Sequence, residues 1–172
     1  MGEKSFDFEF VEKHIRKKSF GVLGTVTSKG NSHSSGIIYA VSPKDSKFYL
    51  YCVTGKNYFK TKNIQKNPSV SFVIPFPHYW LRFVPAPIVY FQAFAEIIPF
   101  TDEDALTAFK QKRILRMTIK KAQSLEEDIE SVFIRLKPKN KINAHILGFN
   151  PIEARGEPRK VRYSVEIPQE KK

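Results

Sequence analysis

Between residues 19 and 75 the hydrophobic and polar positions alternate with the two-residue period of β-strands, and turn-forming residues interrupt them. Three runs of β-branched and aromatic residues are found, at 20–27, 33–41 and 47–53. Polar stretches rich in turn residues separate these runs, at 28–31 and 42–45. The pattern predicts three consecutive antiparallel strands, followed by a short basic helix at 58–66 and a fourth strand.

The N-terminal segment predicts an amphipathic helix. Apolar side chains over 6–18 recur at helical spacing, and Ser5 or Asp7 can provide the N-cap. The 172 residues and the 41% hydrophobic content suit one domain with a sizeable core. We therefore predict a single domain over 1–172 that begins with a helix within residues 1–18.

The second half of the chain continues to alternate between strands and helices. A long strand is predicted at 88–100, and Thr101 is predicted to cap the helix that follows. The apolar side of this helix is predicted to include Ala105, Leu106, Phe109 and Ile114. Two final strands are predicted at 131–136 and 141–147. An extended tail at 148–172 completes the chain.

Residues 75–87 combine four prolines with several aromatic side chains. This composition excludes a central strand, and aromatic side chains are costly to leave in water, so an ordered and packed loop is predicted. Three packing partners are open for this loop: a cofactor ring near Tyr79 or Trp80, a second subunit or, less favoured, a membrane surface. The second subunit is preferred because interfaces are enriched in aromatic residues and arginine.

The formal net charge of +12 attracts polyanions, yet charge does not identify a partner. The sequence has no zinc-finger spacing, aromatic RNA-binding motif or basic zipper, so no specific nucleic acid is predicted. Cys52 is the single cysteine, and the N-terminus lacks the pattern of a secretory signal. Prolines and polar residues interrupt the most apolar window, at 84–100. We therefore predict a cytoplasmic protein without a membrane partner.

Most motifs that reveal catalytic chemistry are absent from the sequence. It contains no zinc-ligand cluster, no G-x-S-x-G elbow, no G-x-G-x-x-G loop after a first strand and no Walker loop. No metal site is predicted and the catalytic residues stay unknown. If the protein is an enzyme, a cofactor supplies its reactivity.

The turn at 54–57 and the helix after it form a basic segment without acidic residues. Lys56 and Lys60 are four residues apart and are predicted to share a helix face near its N-terminus. A bound anion would offset their repulsion and would be favoured by the helix dipole. The alternative is a solvated basic helix.

The order of these elements, together with the sequence K-x-x-N-I-x-x-N-P-x-V-S-F at 60–72, resembles the pyridoxamine 5′-phosphate oxidase-like superfamily of FMN-binding split barrels. The resemblance covers 6–74 and resumes more faintly at 91–96. It implies a mainly β fold with flanking helices (β+α), built on an antiparallel six-stranded split β-barrel. It also implies a homodimer with FMN at the subunit interface.

Transferred residue by residue, the resemblance implies a cofactor site along strands two and three and the following turn. The flavin ring would lie beside Ser35, Gly36, Ile37, Ile38, Tyr39 and Val41. Strand three would contribute Tyr51 and Cys52. The phosphate would lie near Thr54, Lys56, Asn57 and Lys60, of which Lys60 is the preferred contact.

The chain departs from the family pattern at two positions. Ser35 and Gly36 stand where many relatives have an arginine, and Cys52 stands where they often have threonine or serine. Lys56 would compensate for the missing arginine. Cys52 has the alternative role of a small buried residue in a strand.

The resemblance implies a flavoprotein that transfers hydride or electrons to a small acceptor, with the substrate unidentified. Three alternatives stay open: a deazaflavin in the same groove, a haem-binding protein or non-catalytic carrier, and a basic barrel that binds nucleic acid. For the haem alternative, His145 in the last predicted strand is a less favoured axial ligand.

Overall fold

The computed structural model describes residues 6–77, 85–124, 130–150 and 160–168. Within them the chain forms α1 (Phe8–Lys17), β1 (Phe20–Val26), β2 (Ser32–Val41), β3 (Leu50–Gly55), α2 (Phe59–Lys66), β4 (Ser69–Pro75), β5 (Ile88–Pro99), α3 (Glu103–Lys110), α4 (Arg113–Ser124), β6 (Ser131–Pro138), β7 (Lys141–His145) and β8 (Arg162–Glu166).

Six of the strands close into an antiparallel barrel in the order β4-β1-β2-β3-β6-β5, because β4 also pairs with β5. Along its other edge, β5 pairs with β6 over residues 93–99 and with β7 over residues 88–90. Strand β8 then pairs with β7 outside the barrel. The fold is a split barrel with two outer strands and four helices, so the predicted fold class is confirmed.

The barrel interior follows from the two-residue period of its strands. Inward side chains such as Leu23, Cys52, Phe72 and Phe91 are almost fully buried in one cluster. A second cluster lies outside the barrel, where α3 and α4 cover strands β2, β3 and β6 at Ala40, Tyr51 and Phe133. The sheet is therefore buried on both faces under α3 and α4, and on one face elsewhere.

Helix α1 begins as the sequence predicts. Asp7 is its N-cap and accepts a hydrogen bond from the backbone N of Phe10 at 2.8 Å. Its buried residues Val11 and Ile15 pack into the core of the barrel. The hydroxyl of Tyr39 on β2 donates to the backbone oxygen of Ile15 at 2.7 Å, which fixes the end of the helix to the barrel.

Both predicted boundaries of β3 and the predicted cap of α3 are wrong. Strand β3 begins at Leu50 because the hydroxyl of Ser42 bonds the backbone of Lys47 and Tyr49 and keeps this segment in a loop. It also extends to Gly55, so that Thr54 lies in the strand. Helix α3 is capped by Asp102, which accepts from Ala105 N at 2.9 Å.

The predicted packing of Ile114 is also wrong. The chain turns at residues 111–112 between α3 and α4, and this break rotates Ile114 to the surface, where 60% of it is exposed. The core side of α4 instead carries Leu115 and Ile119.

The tail and the proline-rich loop are described in part. Within 148–172, residues Arg162–Glu166 form β8, which the sequence did not predict. The base of the loop at 75–87 closes through a hydrogen bond from Phe76 N to Pro87 O at 2.8 Å. Tyr79 and Trp80 lie outside the described residues, so their packing stays a prediction.

Candidate functional site

Helix α2 closes one end of the barrel, which we call the α2 end. The hydroxyl of Thr61 donates to Gly55 O at 3.0 Å, and Asn63 Nδ2 donates to Thr25 Oγ1 at 3.0 Å. Both contacts are buried, and the neighbouring Ile64 packs into the core. These polar contacts fix α2 across the ends of β1 and β3.

Three buried polar atoms at the α2 end have no hydrogen-bond partner among the described residues. They are His33 Nδ1, Ser35 Oγ and Thr54 Oγ1. Strands β2 and β3 are antiparallel and pair at Tyr39 and Cys52. His33 and Ser35 precede Tyr39, and Thr54 follows Cys52, so the three atoms lie toward the same end of this strand pair.

These atoms are unusual because buried polar groups in folded proteins are almost always hydrogen-bonded. Leaving one of them unsatisfied costs about 1–3 kcal/mol. A ligand or an ordered solvent molecule that bonded them would recover this free energy. The α2 end is therefore the best candidate binding site in the part of the chain that the structure describes.

Lys60 adds a positive charge to the α2 end. Burial lowers the pKa of its ammonium, while the nearby Cys52 acts in the opposite direction. The ammonium lies 5.1 Å from the ring centre of Tyr58, and no acid among the described residues forms an ion pair with it. Burial also raises the pKa of the Cys52 thiol, which keeps this side chain protonated and unreactive at neutral pH.

The other predicted phosphate contacts are placed less favourably. Lys56 precedes α2, so the predicted sharing of one helix face with Lys60 is wrong. Its ammonium forms an ion pair with Glu130 Oε1 at 2.8 Å, which compensates its charge. Asn57 is exposed in the turn before α2.

The predicted ring contacts on β2 lie on opposite faces of the strand. Ser35, Ile37, Tyr39 and Val41 face the interior, and the last three of these are buried in the core. Gly36 and Ile38 face outward and are exposed. On β3, Cys52 is buried inside the barrel, whereas Tyr51 belongs to the cluster under α3 and α4.

The outward residues of β2 belong to an apolar patch on the barrel surface, which we call the outer patch. In register across the sheet, Ile38 lies opposite Phe20, and Val22, Val73 and Tyr90 form a continuous row. Phe20 is 52% exposed. A Cβ at Gly36 would lie 2.9 Å from the end of the Phe20 ring, so a larger residue there would require this exposed ring to move.

Two residues at the α2 end, His33 and Phe59, were not predicted as site residues from the sequence. His33 is half-buried, and its ring lies 5.0 Å from that of Phe59 in an edge-on arrangement. Phe59 itself is 57% exposed. The inward period of β2 extends back from Ser35 to His33, and this signal could have identified the histidine.

His145, the less favoured axial ligand of the haem alternative, lies on one of the two outer strands. His145 lies on β7 between Ile88 and Arg162, and burial together with Arg162 lowers the pKa of its imidazole. The described residues contain no group of three or more side chains that could hold a metal ion.

Among the same residues, no helix is long and apolar enough to cross a bilayer.

Sequence comparison identifies the family. A family model described as pyridoxamine 5′-phosphate oxidase matches residues 8–142. The chain belongs to this family. A comparison with curated proteins finds no match.

Solved structures show the same fold as this member of the pyridoxamine 5′-phosphate oxidase family. An FMN-binding relative of pyridoxamine 5′-phosphate oxidase from Nostoc punctiforme superposes with a TM-score of 0.59 at 15% identity, covering 98% of this chain and 100% of the other. HutZ, a haem storage protein from Vibrio cholerae, gives a TM-score of 0.60 at 17% identity, covering 80% of this chain and 94% of HutZ. ChuZ from Campylobacter jejuni gives a TM-score of 0.66 at 14% identity, covering 94% of this chain and 61% of ChuZ. At these identities the superpositions establish the fold.

Proposed function

We propose that this chain is an FMN-binding oxidoreductase whose α2 end binds the flavin phosphate. The observation that carries the proposal is a pair of buried hydroxyls, on Ser35 and Thr54, that have no partner among the described residues and lie at the same end of the barrel as the half-buried Lys60. Two hydroxyls and an ammonium that pairs with no described acid can all donate hydrogen bonds to the oxygens of a phosphate. The FMN-binding protein of the same fold supports the choice of ligand.

Bound FMN would supply the redox chemistry, because its ring can accept and donate hydride or single electrons. The residues of this chain would bind and orient it. Ser35, Thr54 and Lys60 would hold the phosphate, and the exposed rings of Tyr58 and Phe59 would provide apolar surface beside it. The small-molecule substrate or electron acceptor is not specified by these contacts.

The outer patch supports a homodimer as part of this proposal. Exposed Phe20, Ile38 and Tyr90 leave an apolar face in water that a second copy of the chain would cover. Gly36 and Ile38 lie both on this patch and among the predicted ring contacts, which fits a cofactor at the subunit interface. We expect light scattering at micromolar concentration to report a dimer. A stable monomer that still holds cofactor would contradict the site at the interface.

Deazaflavin and haem are the alternative cofactors, and the absorbance of the purified protein distinguishes haem from FMN. The haem alternative is supported by the fold shared with HutZ. The donors at the α2 end suit a phosphate group better than a porphyrin, because they are hydroxyls and an ammonium. A Soret band without flavin bands would favour haem.

Tight binding of a defined oligonucleotide at physiological salt, without a chromophore, would favour the nucleic-acid alternative.

Replacement of Lys60 by alanine tests the phosphate site. Loss of a charge-assisted hydrogen bond is expected to weaken FMN binding by about 1.5–3 kcal/mol, roughly ten- to hundredfold. FMN is titrated into the apo-protein and flavin fluorescence is followed. The free energy of unfolding without FMN should change by less than about 0.5 kcal/mol, since Lys60 makes no ion pair with a described acid.

Lys62→Ala is the matched control, because Lys62 is exposed on the same helix and the substitution removes the same charge. It should leave FMN affinity within about twofold of the parent, since removing a solvated surface charge costs little. Equal weakening by both substitutions would remove Lys60 from the phosphate site.

A further inference from the structure

A cavity lies where α1, the end of β2 and the α3–α4 pair meet, and we call it the α1 cavity. Its volume is about 160 Å³. The lining divides into a polar side and an apolar side. The polar side consists of Arg16, Lys18, Gln111 and Lys112, and the apolar side of Ala40, Val41, Ala108 and Leu115.

The α1 cavity is separate from the α2 end. Ala40 and Val41 are the last residues of β2, whereas His33 and Ser35 lie in its first half. A strand rises about 3.3 Å per residue, so roughly 20 Å separates Ser35 from Val41 along β2. None of the residues that line this cavity contributes an unpartnered atom to the α2 end.

Hydrogen bonds within the protein fix the donors of the cavity without using all of them. Nη1 of Arg16 donates to Ser42 O at 2.7 Å, and Nε and Nη2 donate to Glu12 Oε1. Lys112 Nζ donates to Lys18 O at 2.8 Å and contacts Ser19 Oγ at 3.3 Å. Among the described residues, these contacts leave N–H groups on both side chains unused.

Gln111 is held in the same way. Its Nε2 donates to Val41 O at 3.0 Å, which leaves one N–H of the amide unused among the described contacts. The side chains are therefore oriented before any ligand arrives, and little conformational entropy is lost when they bind one.

The charge of the cavity is positive. Arg16, Lys18 and Lys112 all line it, and Glu12, which pairs with Arg16, is the acid that contacts them among the described residues. Burial and the charge of Arg16 lower the pKa of the Lys112 ammonium. A bound anion would relieve the repulsion between these cations.

The opposite wall is apolar and well buried. Ala40, Ala108 and Leu115 are each at most 2% exposed. An engineered apolar cavity of about 150 Å³ in another protein holds a benzene molecule, so the α1 cavity has room for one ring or a short branched chain. A phosphate ion would satisfy the donors and leave this wall without a partner.

We propose that the α1 cavity binds a small monocarboxylate with an apolar body. The carboxylate accepts hydrogen bonds from the unused N–H groups of Arg16, Gln111 and Lys112. The body packs against the wall formed by Ala108 and Leu115. This site is independent of the proposed flavin site, and FMN is not required for the ligand to bind.

Benzoate is the probe for this proposal, titrated into the full chain and followed by saturation-transfer NMR. Lys112→Gln removes the charge and should weaken benzoate binding by about tenfold or more. Lys110→Gln is the matched control, since Lys110 is exposed two residues earlier and the charge change is the same. It should leave the affinity within about twofold. Benzamide, the neutral analogue, should bind about tenfold more weakly than benzoate.

A second variant guards against a folding defect in Lys112→Gln, which loses its contact to Lys18 O. The side chain of Lys18 makes a cation–π contact with Phe76 at 5.7 Å, and Lys18→Gln leaves the backbone acceptor in place. Circular dichroism should report a folded protein, and benzoate should bind about threefold more weakly or worse. The proposal is overturned if benzoate does not bind, if all three variants bind it equally, or if phosphate binds and benzoate does not.

Discussion

The two ends of β2 both bury polar groups, yet they treat them differently. Near α1, the Tyr39 hydroxyl donates to Ile15 O at 2.7 Å and the Ser42 hydroxyl donates to Lys47 O at 2.6 Å. Near α2, the hydroxyl of Ser35 and the Nδ1 atom of His33 have no partner among the described residues. The polar groups near α1 therefore join elements of the fold, whereas those near α2 are available to bind a ligand.

The same contrast exists between two buried threonines at the α2 end. Thr61 Oγ1 donates to Gly55 O at 3.0 Å, whereas Thr54 Oγ1 has no partner in the part of the chain described. Burial is similar for both residues, so burial does not separate them. The two threonines differ in whether their hydroxyls are hydrogen-bonded. A bonded hydroxyl, as in Thr61, stabilises the fold, whereas an unbonded one, as in Thr54, can bind a ligand.

The largest effect on the free energy of unfolding is expected at the α1 end of β2. Tyr39→Phe keeps the buried ring and removes the hydroxyl that bonds Ile15 O, so the free energy of unfolding should fall by about 1–2 kcal/mol. FMN affinity should not change. Urea denaturation measures the first quantity and flavin fluorescence the second. An unchanged stability would show that this contact does not join α1 to the barrel.

An intermediate effect is expected for the two threonines. Thr61→Val removes a satisfied buried hydroxyl and should cost about 1 kcal/mol of unfolding free energy. Thr54→Val removes an unsatisfied one, so the apo-protein should stay within about 0.5 kcal/mol of the parent or become more stable. Valine and threonine have nearly the same shape, so packing changes are small in both variants. Urea denaturation of both apo-proteins measures the difference.

The same pair of variants separates stability from binding. Thr54→Val should weaken FMN binding by about 1 kcal/mol or more, whereas Thr61→Val should leave the intrinsic affinity close to the parent value. A large loss of stability in Thr54→Val would mean that its hydroxyl already has a partner, and the comparison between the two residues would then fail.

The architecture was predictable from the sequence because strands, turns and caps depend on neighbouring residues. The period of two over β1 to β4 and the cap at Asp7 are such local signals. Strand β8 was missed although Val161, Tyr163, Val165 and Ile167 alternate with polar residues, because nearby prolines and charges suggested a tail. Its pairing with β7 depends on contacts distant in sequence.

The candidate site was less predictable because it depends on register and on distant partners. The sequence placed Gly36 to Val41 together, but only the sheet register decides which of them face outward. Lys56 looked free of acids, yet Glu130 reaches it from a segment 74 residues away. Whether the hydroxyls of Ser35 and Thr54 lack partners is a property of the packed end of the barrel, and no local pattern encodes it.

The smallest effect is a pH dependence that comes from Lys60. Its pKa is lowered in the folded state, mainly by burial. Between this lowered value and the value of about 10.4 typical of unfolded lysine, the unfolded chain binds more protons than the folded chain. The contribution of Lys60 to unfolding free energy therefore rises as the pH rises through this window, and is flat below and above it.

Lys60→Met should remove this rise, and comparison of the variant with the parent between pH 8 and pH 10.5 isolates it from other titrating groups. Because Lys60 is only half-buried, solvent screens the effect and the change should be less than about 0.5 kcal/mol. Bound FMN should abolish or reverse the difference, since a phosphate beside the ammonium favours its charged form and raises its pKa. Thermal unfolding of both proteins with and without FMN is the measurement. A pH dependence that FMN leaves unchanged would place the phosphate away from Lys60, even if FMN binds elsewhere on the chain.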